Sequence, residues 1–119
     1  MLNEKFVKIL NTPSEELFEF SNLVQVDTGL PMVIWVSVKN YSSGCRIKVQ
    51  NNTSSKIDLS DSYCVSVTDD PQIVSGTCKQ KKYLTIVKQW VILNKEVLLR
   101  YWDMEISTKE MLNGLETLS

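Results

Sequence analysis

Six carboxylates, Asp58, Asp61, Asp69, Asp70, Asp103 and Glu105, fall near expected turns. Paired carboxylates can hold a divalent cation or exchange protons with a substrate. That chemistry needs two of them at a set separation, and no spacing in the chain imposes one. Turn chemistry accounts for Asp69-Asp70-Pro71. Lys79, Lys81 and Lys82 stand where a helix is expected to begin. Cations there oppose the helix dipole, so a bound anion or an acidic partner would make sense of them. A solvated lysine cluster is the plainer alternative. Cys45, Cys64 and Cys78 show no C-x-x-C spacing, and the chain contains no histidine. A Cys–His nucleophile is therefore excluded and no zinc site is expected. Four widely spaced glycines make no phosphate-cradling loop. Catalytic residues, metal and cofactor are all expected to be absent.

Two further features could serve recognition. At 100° per residue, Tyr83, Val87, Trp90, Val91, Asn94, Val97, Leu98 and Tyr101 fall on one helical stripe with Asn94 at its centre. Asn94 is expected to be a buried polar contact, bonded either to nearby backbone or to a ligand beneath the helix. Ile92 and Leu99 lie seven residues apart on the otherwise polar face, with Lys95 between them. Either the N-terminal helices cover them, or these three residues form a seam for another protein or a second copy.

The elements that must position these residues follow from local pattern. Pro31 to Lys39 has apolar residues on both parities, as in a strand covered on both faces. Cys45 to Gln50 alternates, with Cys45, Ile47 and Val49 inward and Arg46, Lys48 and Gln50 outward. The two runs form an expected hairpin. Asn51 to Ser55 is a loop without a core residue. Tyr63, Val65 and Val67 share a strand face, and Gln72-Ile73-Val74 is a short final strand. Helices are expected over Glu4–Leu10, over Pro13–Phe20 behind a Thr12 cap, over Lys81–Trp102, and from Thr108 behind a Ser107/Glu110 capping box. The expectation is a single α+β domain over residues 1–119. Its small, mostly antiparallel sheet of about four strands would be packed by a long C-terminal helix, with short helices at both ends.

Composition bounds the class. The chain has 119 residues, 43% hydrophobic and 23% charged, with a net charge of −1. Such a balance gives no electrostatic reason to expect nucleic acid or an anionic membrane as partner. No apolar run approaches the roughly 20 residues of a membrane span. The first residues lack the apolar core of a secretory signal. Three unpaired thiols then suit a cytoplasmic setting.

Leu30-Pro31-Met32-Val33-Ile34-Trp35-Val36-Ser37 with Arg46-Ile47-Lys48-Val49 resembles small uncharacterised bacterial and prophage proteins. The stretch Trp90 to Leu112 does so too, through Leu93-Asn94, Glu96-Val97-Leu98-Leu99, Tyr101-Trp102-Asp103, Glu105-Ile106 and Thr108-Lys109-Glu110. It is similar to the last helix of a domain of unknown function found beside toxin–antitoxin genes, although that domain is rich in histidine and this chain has none. The resemblance implies a bacterial or mobile-element context and a sheet backed by a long helix. The expected function is a protein-interaction module, such as an antitoxin-like or defence-related regulator. The alternative is a small enzyme or nucleic-acid-acting protein built on carboxylates and lysines.

Overall fold

A computed structural model describes residues 6–8, 19–38, 44–53, 57–58 and 60–118. The chain is an α+β fold. Its strands are β1 (Phe6–Lys8), β2 (Glu19–Leu23), β3 (Ile34–Ser37), β4 (Arg46–Gln50), β5 (Ser62–Ser66) and β6 (Ile73–Gly76). They form one six-stranded sheet in sequential order β1-β2-β3-β4-β5-β6, with every neighbouring pair antiparallel. A short helix α1 (Gln25–Thr28) joins β2 to β3, and Gly29 ends it with φ 77°. After β6 come a 3-10 turn over Lys81–Tyr83, α2 (Leu84–Leu93), α3 (Lys95–Trp102) and α4 (Thr108–Gly114).

The alternation of apolar residues explains the core. Ile34 and Val36 of β3, Ile47 and Val49 of β4, and Tyr63 and Val65 of β5 all face it, together with Val67 beyond the strand end. Val87, Trp90 and Val91 of α2, Leu98 and Tyr101 of α3, and Met111 of α4 close it from the other side. Burying each such side chain stabilises the fold by about 1.5–3 kcal/mol before conformational entropy is charged against it. All four residues of β3 are buried. Trp35 lies on the opposite parity from Ile34 and Val36, in register with Asn22 and Lys48, which agrees with a strand covered on both faces. Ser107 caps α4 reciprocally: its Oγ accepts from the Glu110 N–H at 3.1 Å, and Glu110 Oε1 accepts from the Ser107 N–H at 2.9 Å.

Several expectations are corrected. The long helix over Lys81–Trp102 is not continuous. It begins as a 3-10 turn and is interrupted at Asn94, whose φ of −106° and ψ of 12° fall between α2 and α3. The stripe survives the interruption, because residues 87, 90, 91, 94, 98 and 101 are all buried. The expected helix over Glu4–Leu10 is replaced at Phe6–Lys8 by β1. Glu19 and Phe20, expected to end a second helix, belong to β2 instead, while Pro13–Phe18 lie outside the described residues. These two strands take the sheet beyond the four expected. The Thr12–Glu15 start signal lies outside the described residues, and β2 pairs with β3, Phe20 opposite Ser37 and Leu23 opposite Ile34.

Gln50 is also corrected, from outward to fully buried. Its Nε2 donates to Asn52 O at 3.2 Å and to Asn52 Oδ1 at 3.0 Å, and its Oε1 accepts from the Asp58 N–H at 2.9 Å. Asn52 and Asp58 thus meet the Gln50 side chain at the end of β4. Asn51, expected in a loop without core residues, is 5% exposed. Its side chain donates to Asp61 Oδ1 (3.0 Å) and Thr77 O (2.9 Å), and accepts from the Lys79 N–H (2.8 Å). Gln80 Nε2 reaches its carbonyl at 2.8 Å. One buried amide thereby fixes the end of β4 to the segment that follows β6.

Candidate interaction surface

The sheet order makes β6 an edge strand. A strand at an edge leaves a row of backbone donors and acceptors without partners from its own sheet. All four residues of β6 are exposed. Ile73 retains 38% and Val74 48% of their accessible surface. Between Asp70 and Lys79 the chain carries no charge at all. The pairing with β5 is irregular here: Ser75 sits opposite Cys64 and Ile73 opposite Val65, so Val74 is the extra residue of a bulge. Gly76 ends the strand with φ 75°, and a Cβ there would come within 2.6 Å of Ser62 O and 2.8 Å of Tyr63 Cα. Glycine is required at that position by both conformation and space.

The residues singled out from sequence are placed as follows. Ile92 is 52% exposed, whereas Leu99 is half-buried against the core. The apolar neighbour that shares solvent with Ile92 is Leu93, 40% exposed. Lys95 pairs with Asp69 at 2.8 Å, tying α3 to the turn before β6. Lys79 pairs with Asp61 at 2.9 Å, and the Lys82 Nζ sits 5.1 Å from the Tyr83 ring centroid. Lys81 is exposed.

Asn94 is 2% exposed. Its Nδ2 donates to Trp90 O at 3.0 Å and Glu116 O at 2.9 Å, and its Oδ1 accepts from the Glu116 N–H at 2.7 Å. The amide therefore reads both main-chain groups of Glu116, much as a neighbouring strand would. The segment it holds runs on to Thr117, which packs where a Cβ on Gly29 would lie, 3.1 Å from the Thr117 Cβ. Leu115 and Leu118 rest against the core on either side.

Electrostatics at these positions is local. The Lys79 ammonium and the Asn51 amide hold Asp61 below the usual carboxylate range. Lys95 does the same for Asp69. Burial, reinforced by Asp103, pushes the Cys45 thiol up to about 12, which keeps it protonated and a poor nucleophile. Asp61 and Lys79 do meet, as the carboxylate–lysine alternative requires. Both are partly open to water, with side-chain exposures of 30% and 63%, and such pairs are ordinary surface contacts. Among the described residues no group of three or more Cys, Asp or Glu is placed to hold a metal ion. No helix among them is long and apolar enough to cross a membrane. No family model, curated protein or solved structure matches this chain.

Sequence reasoning identified β6 as a strand without marking it as a surface. The signal was present: a neutral stretch, Pro71 to Cys78, with acidic residues before it and lysines after it. Which strand forms an edge, however, follows from topology and not from local pattern.

Proposed function

We propose that this chain is a non-enzymatic protein-interaction module that works by binding another protein along β6. The carrying observation is that edge strand, exposed at every residue, with Ile73 and Val74 open to solvent. Protein edges are ordinarily guarded by lysine, proline, bulges or a covering element. Here the bulge is present, but no charge lies on the strand itself. A partner adding an extended segment gains main-chain hydrogen bonds from the edge and side-chain contacts from Ile73 and Val74. The exposed pair Ile92–Leu93 offers a second, smaller apolar contact. A bacterial or mobile-element setting, as an antitoxin-like or defence-related regulator, is supported by the sequence resemblance alone.

Paired capture tests this reading. The chain and its Ile73→Lys/Val74→Lys variant are used as baits in parallel, and any protein retained by the first is purified and titrated against both. The reading expects a direct partner that the variant no longer binds. It fails if the variant binds the same partners with the same affinity.

A further inference from the structure

We propose that the partner of β6 is a second copy of this chain, paired antiparallel with it, strand against strand, across a two-fold axis. The inference rests on the reading of β6 as the binding surface and adds what occupies it. The distribution of charge at its two ends carries the argument. Asp69 and Asp70 precede the strand, and Lys79, Lys81 and Lys82 follow it, with only neutral residues between. Antiparallel self-pairing sets the acidic end of one strand beside the basic end of the other, and does so twice. Parallel pairing would set like charges side by side. Opposite charges across a strand pair are favourable and like charges unfavourable.

The register can be bounded. An axis anywhere from the Val74–Ser75 bond to the Ser75–Gly76 bond lays the four-residue strands side by side, and sets the end of each that follows Asp70 beside the end of the other that leads toward Lys79 and Lys81. Asp69 and Lys79 already hold Lys95 and Asp61 within the chain. Asp70 and Lys81 are both exposed, and they are the charges this pairing would newly bring together. Such an interface is self-complementary and closed, so it covers both β6 edges and stops at two copies. The bulge at Val74 shortens the ladder available to a newcomer and disfavours indefinite stacking. A four-residue edge buries little area, and interfaces below about 1,200 Å² are weak and transient. The pairing is therefore expected in the micromolar range or weaker.

Sedimentation velocity across a concentration series of the full chain tests this, with Asp70→Lys, Lys81→Asp and the double exchange in parallel. Both positions are exposed, and circular dichroism confirms that each variant keeps its fold. The expected result is a concentration-dependent dimer. Each single reversal weakens it by roughly tenfold, since the two-fold axis counts every charge pair twice, and the double exchange restores most of the affinity. A chain that stays monomeric at millimolar concentration overturns the inference. So does a dimer indifferent to both reversals, or one that the double exchange fails to restore. If the chain is monomeric yet binds a different protein through Ile73 and Val74, self-pairing is refuted and the interaction reading stands.

Discussion

Replacing Asn94 probes the buried amide at the centre of the helical stripe. In Asn94→Ala the two bonds to the Glu116 main chain are lost, at 2.9 and 2.7 Å in the native chain. The third, to Trp90 O, leaves no orphan, because that carbonyl also accepts from the Asn94 backbone N–H. Glu116 is exposed, so its freed groups return to water. Each net bond is worth about 1 kcal/mol, and Asn94 lies outside both helices, so alanine recovers no interior helix propensity there. The expected loss is therefore about 2 kcal/mol, which lowers Tm by roughly 6–12 °C for a domain of this size.

Asn94→Asp separates the donor role from the acceptor role. It keeps an acceptor for the Glu116 N–H but sets a carboxylate oxygen against two carbonyls. The ionised form is disfavoured, so the folded-state pKa rises above the unfolded value of about 3.9. A carboxyl with a raised folded pKa destabilises increasingly as pH climbs from the unfolded pKa to the folded one, then by a constant amount. At pH 7 the order of stability should be native, then Asn94→Ala, then Asn94→Asp, with the last two converging toward pH 4. Thermal melts at both pH values measure this, and amide exchange reports the Glu116 N–H directly. An unchanged Glu116 exchange rate in Asn94→Ala, or an Asn94→Asp variant as stable as the native chain at pH 7, would refute the reasoning.

Three other perturbations have expected outcomes. Gly76→Ala should destabilise by more than about 1 kcal/mol, from positive φ together with the contact on Ser62 O and Tyr63 Cα; Gly44→Ala, where an added methyl meets nothing within 4 Å, is the control in denaturant titration. Met104 adopts φ 60° and is 66% exposed, so Met104→Gly should raise stability by a few tenths to about 1 kcal/mol despite its looser unfolded chain. Asp61 has a lowered folded pKa, so its contribution is present above the unfolded value and lost as pH falls through the folded one. Lys79→Ala should shift the Asp61 carboxyl upward toward the ordinary range in an NMR titration.

Much of the fold was legible because it is written locally. Alternation placed Ile47, Val49, Tyr63, Val65 and Val67, and the Ser107/Glu110 box marked the start of α4. The stripe from Val87 to Tyr101 was legible too, because the turn at Asn94 preserves its phase. What could not be read depends on residues far along the chain. The break at Asn94 is matched to Glu116, and the burial of Asn51 depends on Asp61, Thr77, Lys79 and Gln80. Gln50 obeyed alternation in direction, but its side chain is met by Asn52 and Asp58. The N-terminal segment carried helix-start chemistry, yet its described part pairs as β1 and β2. The candidate surface is of the same kind. The composition of β6 was visible, whereas its place at the edge required the whole strand order.

The central claim, that β6 is where this chain binds, is tested most directly by amide spectra recorded from dilute to concentrated solution. The account predicts that Ile73, Val74, Ser75 and Gly76 shift and gain exchange protection together as concentration rises, with Asp70 and Lys81 following. Shifts centred on Ile92 and Leu93 with β6 unmoved, or a spectrum that does not change with concentration or with a captured partner, would contradict it.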